Sequence, residues 1–270
     1  MHRLALLLLL WAMPAAAAEL RLEGELTQGG LIRGIAPPGS TIALDSQSVR
    51  VSRDGLFVFG FGREAPGTAT LRITYPSGIT ETRPLTITKR QYQTQRIDGL
   101  PRNMVTSSTK ELARIRREGA AIAAVRRRDT AATWFAEGFR WPLWGTVTGV
   151  YGSQRILNGE PRRPHYGIDI AGPTGTPVLA PAPGIVALAE ADLFFTGGTV
   201  MIDHGHGLTS VYSHLAQVSV AIGDNVASGD VLGTVGATGR VTGAHLDWRV
   251  NWFKTRLDPA LLVGPMPKTN

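Results

Sequence analysis

The stretch TGAHLDWRV, Thr242 to Val250, reads as a β-strand with a strict two-residue alternation. Leu246, Trp248 and Val250 turn to one face, and His245, Asp247 and Arg249 to the other. A His and an Asp on one face, ~7 Å apart along the strand, suit either half of a metal-dependent site or the wet side of a half-buried strand. The surrounding chain decides between them. Strands are expected at 146–151, 167–170, 184–188, 199–203, 210–215, 231–235 and 246–252, separated by Gly-rich turns such as DHGHG and IGDNVASGD. No long helical pattern interrupts them, so residues 139–270 read as a compact antiparallel β domain.

Two other segments carry metal-competent residues. RPHYGID holds His165 and Asp169. Pro164 and Gly167 argue against a helix, and in a straight strand the pair would stand about 13 Å apart. They converge only if the chain bends, and Gly167 offers the bend. SVYSHL holds His214, which alternation places on the same face as Tyr212, with Val211, Ser213 and Leu215 opposite. His204 and His206 lie in the turn DHGHG and read as turn or outer contacts, and Asn158 in LNG as a turn residue beside the cleft. The chain has no Cys, so a metal must be held by His and carboxylates, and disulfides are excluded.

The segments around RPHYGID, VMIDHGHGLTSVYSHL, VASGDVLGTVGATGRVTGAHLDW and RLDPALL resemble the lysostaphin/LytM-type zinc metallopeptidases, which cut peptide bridges of bacterial peptidoglycan. The resemblance implies a Zn2+ site with His165, Asp169 and Asp247 as ligands and with His214 and His245 as catalytic residues. It also implies an endopeptidase acting on peptidoglycan crosslinks through a metal-activated water. The family's last ligand is the second His of His-x-His, and here Asp247 stands in its place. Zinc accepts a carboxylate oxygen at nearly the same distance as an imidazole nitrogen, roughly 2.0–2.2 Å. Two carboxylates and one imidazole cancel the dication, so a weaker Lewis acid and a slower reaction are expected.

Upstream, residues 19–88 alternate in short runs with turns at Asp54-Gly55 and Pro76-Ser77-Gly78, suggesting an immunoglobulin-like β-sandwich. Residues 89–138 read as a polar linker, Lys89 to Pro101, followed by an amphipathic helix. Ser108 and Glu111 form a candidate capping box, and Leu112, Ile115, Gly119 and Ile122 form an apolar stripe. Arg114, Arg117 and Arg128 lie off the stripe; a helix packed on its neighbour with a solvated basic face is expected, ahead of a contact for an anionic wall polymer. The fold class is therefore mainly β: N-terminal sandwich, connecting helix, C-terminal antiparallel LytM-type domain.

Residues 1–18 combine a basic start, a short apolar run and Ala16-Ala17-Ala18 before Glu19, the pattern of a cleaved secretory leader. With export, the family resemblance implies the periplasm of a Gram-negative bacterium, with no transmembrane anchor expected after cleavage near Ala18. The net charge of +7 suits an anionic polymer or membrane surface, and nucleic acid is not expected as a partner outside the cytoplasm. A catalytically weak module that binds and activates a cell-wall amidase, or another divisome or envelope partner, is the alternative, resting on Asp247. A lipoyl-type carrier is excluded, because no lysine lies between Lys110 and Lys254.

Overall fold

A computed structural model describes residues 19–97, 109–161 and 163–266. The leader pattern of residues 1–18 and the cap position Ser108 lie outside them. Among the described residues no helix is long and apolar enough to cross a membrane.

The N-terminal part contributes β1 (Arg21–Glu23), β2 (Leu31–Ile35), β3 (Thr41–Leu44), β4 (Gln47–Val49), β5 (Leu56–Gly60), β6 (Thr68–Thr74) and β7 (Thr80–Thr86). They form two antiparallel sheets, ordered β1-β2-β5 and β4-β3-β6-β7. Alternation explains β6: Ala69, Leu71 and Ile73 are buried while Thr68 and Arg72 are exposed. Both expected turns form, each with a glycine at positive φ, 85° at Gly55 and 82° at Gly78.

The expected linker is not wholly a linker. β8 (Thr94–Ile97) lies within it and pairs in parallel with β10 (Gln154–Leu157), which also pairs with β11 (Glu160–Pro161). Nothing in TQRI signals a strand, because its pairing is supplied by chain some 60 residues away.

Helix α1 (Thr109–Val125) follows. Its apolar stripe is buried only at its C-terminal end. Ile122 and Val125 pack on Ala187, Leu188, Leu193, Met201 and Val211, whereas Leu112 is 43% exposed and Gly119 is open. The other end is held by charge. Arg114 pairs with Glu118 and Asp192, and Glu118 accepts the Phe194 amide. Arg128 pairs with the buried Asp203. Two of the arginines expected on a solvated face are thus engaged with acidic residues.

The C-terminal part adds β9 (Val147–Gly149), β12 (Ile168–Ala171), β13 (Pro177–Leu179), β14 (Gly184–Leu193), β15 (Gly197–Gly205), β16 (Leu208–Val218), β17 (Asn225–Val226), β18 (Val231–Val235), β19 (His245–Trp252) and β20 (Thr255–Leu257). Ten strands form one antiparallel sheet along β17-β14-β15-β16-β19-β12-β9, with β18 bridging β13 and β16, and β20 on β19. On β19, Leu246, Trp248 and Val250 are fully buried, as the alternation requires. The hydrophobic core runs without a break from Phe57 and Phe59 in the N-terminal sheets to Trp248, Trp252 and Leu257. At the junction a Cβ on Gly60 would meet Leu257 at 2.6 Å, Arg63 donates to the Gly152 carbonyl at 2.8 Å, and Arg90 pairs with Asp258 at 2.7 Å.

Candidate active site

β19 lies between β12 and β16, and its register builds the site. Asp169 stands directly opposite Asp247, Ala171 opposite His245, and Ser213 opposite Asp247. Two carboxylates on directly paired residues repel unless a cation lies between them. His165 closes the group, because the chain turns before β12 and brings its Nε2 to 3.2 Å from Asp169 Oδ1. One ligand atom each from His165, Asp169 and Asp247 lies within 4.8 Å of the others. His165 Nε2 and Asp169 Oδ1 are buried and make no hydrogen bond, and neither does Ser213 Oγ beside them. Buried polar atoms left without partners are rare, and two imidazole and carboxylate atoms converging in this way fit a bound divalent cation.

Two glycines make room for the group. A Cβ on Gly149 would fall 2.2 Å from Asp169 Oδ2, and one on Gly167 would fall 2.6 Å from Asp247 Oδ1. Gly167 therefore serves by lacking a side chain rather than by adopting a left-handed bend; its φ is not positive.

Arg249 changes the electrostatics expected for Asp247. It shares the strand face, and its Nε lies 2.9 Å from both carboxylate oxygens, with Nη2 also donating to Oδ2. The Asp247 side chain is 3% exposed and that of Arg249 27%. Burial opposes ionisation of Asp247, but the charge and hydrogen bonds of Arg249 outweigh it and hold the carboxyl below its ordinary range. Counted with Arg249, the three candidate ligands carry one net negative charge, the same as two imidazoles and one carboxylate. The loss of Lewis acidity expected from Asp247 alone is thereby offset.

His214 corrects the strand alternation. Tyr212 faces the core, opposite Trp248, and is fully buried. His214 would follow it, but its φ of 68° turns the ring back to the face of Ser213 and Asp247. Its amide donates to the Thr196 carbonyl at 2.7 Å, and its Nδ1 lies 2.9 Å from the Thr238 carbonyl. The ring ends 4.9 Å from that of His245. His245 Nδ1 lies 2.9 Å from the Gly243 carbonyl, and its Nε2 is 3.7 Å from Asp169 Oδ1. A carbonyl only accepts, so both rings carry the proton on Nδ1 and leave Nε2 free when neutral. Burial lowers the pKa of His214, against the Thr238 carbonyl, and keeps it neutral near pH 7.

The other histidines stand apart from the triad. His204 is fully buried between the Pro183 carbonyl (2.6 Å) and Ser210 Oγ (2.7 Å), and His206 packs beside Phe135. Asn158 adopts a left-handed turn conformation, φ 51°, between β10 and β11. Sequence reasoning gave no role to Arg249, although its place on the Asp247 face was readable from the alternation. It found no signal for Gly149.

Peptidase family M23 matches residues 163–259, a stretch that contains all five site residues. The cell division protein DipM of Caulobacter vibrioides is 34% identical over 150 residues, 54% of this chain and 24% of that protein. The DD-carboxypeptidase/endopeptidase Mpg of Neisseria meningitidis is 41% identical over 106 residues, 39% of this chain. The match again covers 24% of the relative, so the chain spans about a quarter of either protein. A solved structure of a putative peptidase M23 from Pseudomonas aeruginosa is 30% identical, with a TM-score of 0.65 over 89% of this chain and 96% of that one. With the likeness extending over both halves of the fold and the ligand-competent residues falling inside the matched stretch, the chain belongs to peptidase family M23.

Proposed function

We propose that this chain is an exported, zinc-dependent endopeptidase that hydrolyses peptide crosslinks of peptidoglycan. The observation that carries the reading is the convergence of His165, Asp169 and Asp247, with His165 Nε2 and Asp169 Oδ1 unpartnered, beside two histidines whose Nε2 atoms make no hydrogen bond. The DD-carboxypeptidase/endopeptidase name of one relative supports the substrate class. When bound, zinc supplies a Lewis acid and lowers the pKa of water. Neutral His214 takes a proton on Nε2 as the water oxygen bonds to the peptide carbonyl carbon, then returns it to the amine as the C–N bond breaks. His245, once protonated on Nε2, donates to the oxyanion.

The test is zinc content of protein purified without chelator and then offered zinc, together with release of new amine groups from purified cell-wall sacculi. One zinc per chain is expected, with digestion abolished in His214→Ala. A chain that refuses zinc loses the enzyme reading.

One observation favours a second reading, a binding module that activates a cell-wall amidase. Arg249 already gives Asp247 a cation, so the cluster is partly compensated without metal. Similarity to a cell division protein is in keeping with it. Under this reading zinc-free protein stimulates an amidase added to the sacculi, while alone it releases nothing.

Export to the periplasm is the matching proposal for residues 1–18. N-terminal sequencing of the exported protein should find Glu19 at or near its start, and an intact Met1 would count against it.

A further inference from the structure

The sheet face that carries the metal triad also carries more positive charge than the protein itself balances. Arg249 lies opposite Val211, and Val125 at the end of α1 packs in one cluster with Val211. Arg126 follows immediately, so α1 delivers it onto this face. Across β19 and β20, Arg256 pairs with Asn251, two residues along the same face from Arg249, and donates to the Asn251 side-chain carbonyl. All three arginines are partly exposed. Among the described residues, Asp247 is the one carboxylate bonded to any of them. Among the described residues, Arg256 has a neutral amide as its hydrogen-bond partner and sits 5.9 Å from the Tyr166 ring centre. Arg126 Nε is buried with no hydrogen-bond partner, and none of the ion pairs among the described residues includes Arg126. Burial, with Arg256 and Arg249 nearby, pushes Arg126 down to about 9 and, with Arg249, pushes Arg256 down to about 10. Holding a guanidinium whose buried Nε has no partner there disfavours folding, as expected of a group kept for a ligand.

We propose that Arg126, Arg249 and Arg256 form an anion subsite beside the metal triad and take a carboxylate of the substrate peptide. The identity of the anion as a peptide carboxylate rests on the peptidase reading. The guanidinium forks match a carboxylate in bidentate geometry. A carboxylate seated there lies on the triad's face of the sheet, so the subsite selects peptides with a free acid close to the bond presented to the site.

The experiment compares an acetylated alanine tripeptide as free acid and as C-terminal amide. Binding is measured calorimetrically on chelator-treated protein and on zinc-loaded protein. Wild type is expected to prefer the acid by about tenfold to hundredfold, as for charge-assisted hydrogen bonds. Arg126→Met should lose most of that preference and melt at a higher temperature, because a half-buried cation with an unpartnered Nε is gone. Equal binding of acid and amide by wild type overturns the proposal. So does an Arg126→Met chain that melts lower and keeps the preference, since Arg126 is then structural. If the chain refuses zinc yet prefers the acid, the peptidase reading fails and the subsite stands; if it takes zinc and digests sacculi without the preference, the reverse holds.

Discussion

Replacing Arg249 by Met separates two quantities that usually move together, metal affinity and metal acidity. Without metal, the variant leaves Asp247 buried, 3% exposed, with its ion-pair partner removed. Removing one member of a buried pair costs about 3–5 kcal/mol, and the partial exposure of Arg249 favours the lower end. At about 2–4 °C per kcal/mol for a chain of this size, the metal-free melting temperature should fall by about 6–12 °C. The loss should shrink in acid, because burial without Arg249 raises the Asp247 pKa and a protonated carboxyl needs no cation. Zinc reverses the sign. In the wild type it must share Asp247 with a guanidinium held at 2.9 Å on both oxygens. Releasing the carboxylate from a charged hydrogen bond worth about 1.5–3 kcal/mol should tighten zinc binding about tenfold to hundredfold. The net charge of the loaded site falls by one, so the acidic limb of the rate profile should move to higher pH. Chelator competition gives the affinity, melts with and without zinc give the stability, and sacculi digestion against pH gives the acidity. A tenfold weaker zinc affinity would refute the reasoning. It would mean that Arg249 acts by positioning Asp247, although pairing of β19 with both neighbours already fixes that residue's backbone.

Asp247→Ala should lose zinc and hydrolysis together, because two remaining ligands bind the ion poorly; full zinc occupancy in that variant would remove Asp247 from the ligand set. Asp247→His should shift the rate profile to lower pH by adding one positive charge, and an unmoved or opposite shift argues against Asp247 as a ligand. Gly149→Ala places a Cβ 2.2 Å from Asp169 Oδ2 and should weaken zinc at least about tenfold. Gly119→Ala, which meets nothing within 4 Å, is its control, and equal zinc affinity in the two would discount the cradle. His204 is held neutral by burial, its pKa pushed down to about 4 from 6.5 despite the Pro183 carbonyl. The folded value lies below the unfolded one, so this contribution is whole above about pH 6.5. It is lost as pH falls towards 4, about 3 kcal/mol in all. Thermal melts across that window should slope less in His204→Gln, and equal slopes would assign acid sensitivity elsewhere.

Much of the site was legible because strand alternation is a rigid rule. It placed Leu246, Trp248 and Val250 in the core and Asp247 with Arg249 on the opposite face. What it lacked was any statement about who stands across the strand. The opposition of Asp169 and Asp247 is a register fact, set by β12 meeting β19. The same rule failed at His214, where one residue in a left-handed conformation reverses the side chain's direction, held there by the Thr196 and Thr238 carbonyls. β8 was illegible for a related reason: its pairing partner, β10, lies beyond a helix, and its own residues carry no pattern. The helix stripe misled in part, since α1 has a floor to pack on only under Ile122 and Val125.

The unbroken core bears on how such a chain can change over time. Its peptidase half is seamed to the N-terminal sheets. Leu257 rests against Gly60, Asp258 is neutralised by Arg90, and β10 takes its parallel neighbour from β8. Grafting residues 139–270 onto another N-terminal partner would leave a bare strand edge, an unpaired carboxylate and an exposed apolar seam at once. In this chain, a change at the seam in one half is therefore felt by the other, so a substitution at Gly60 or Leu257 alone should destabilise both halves.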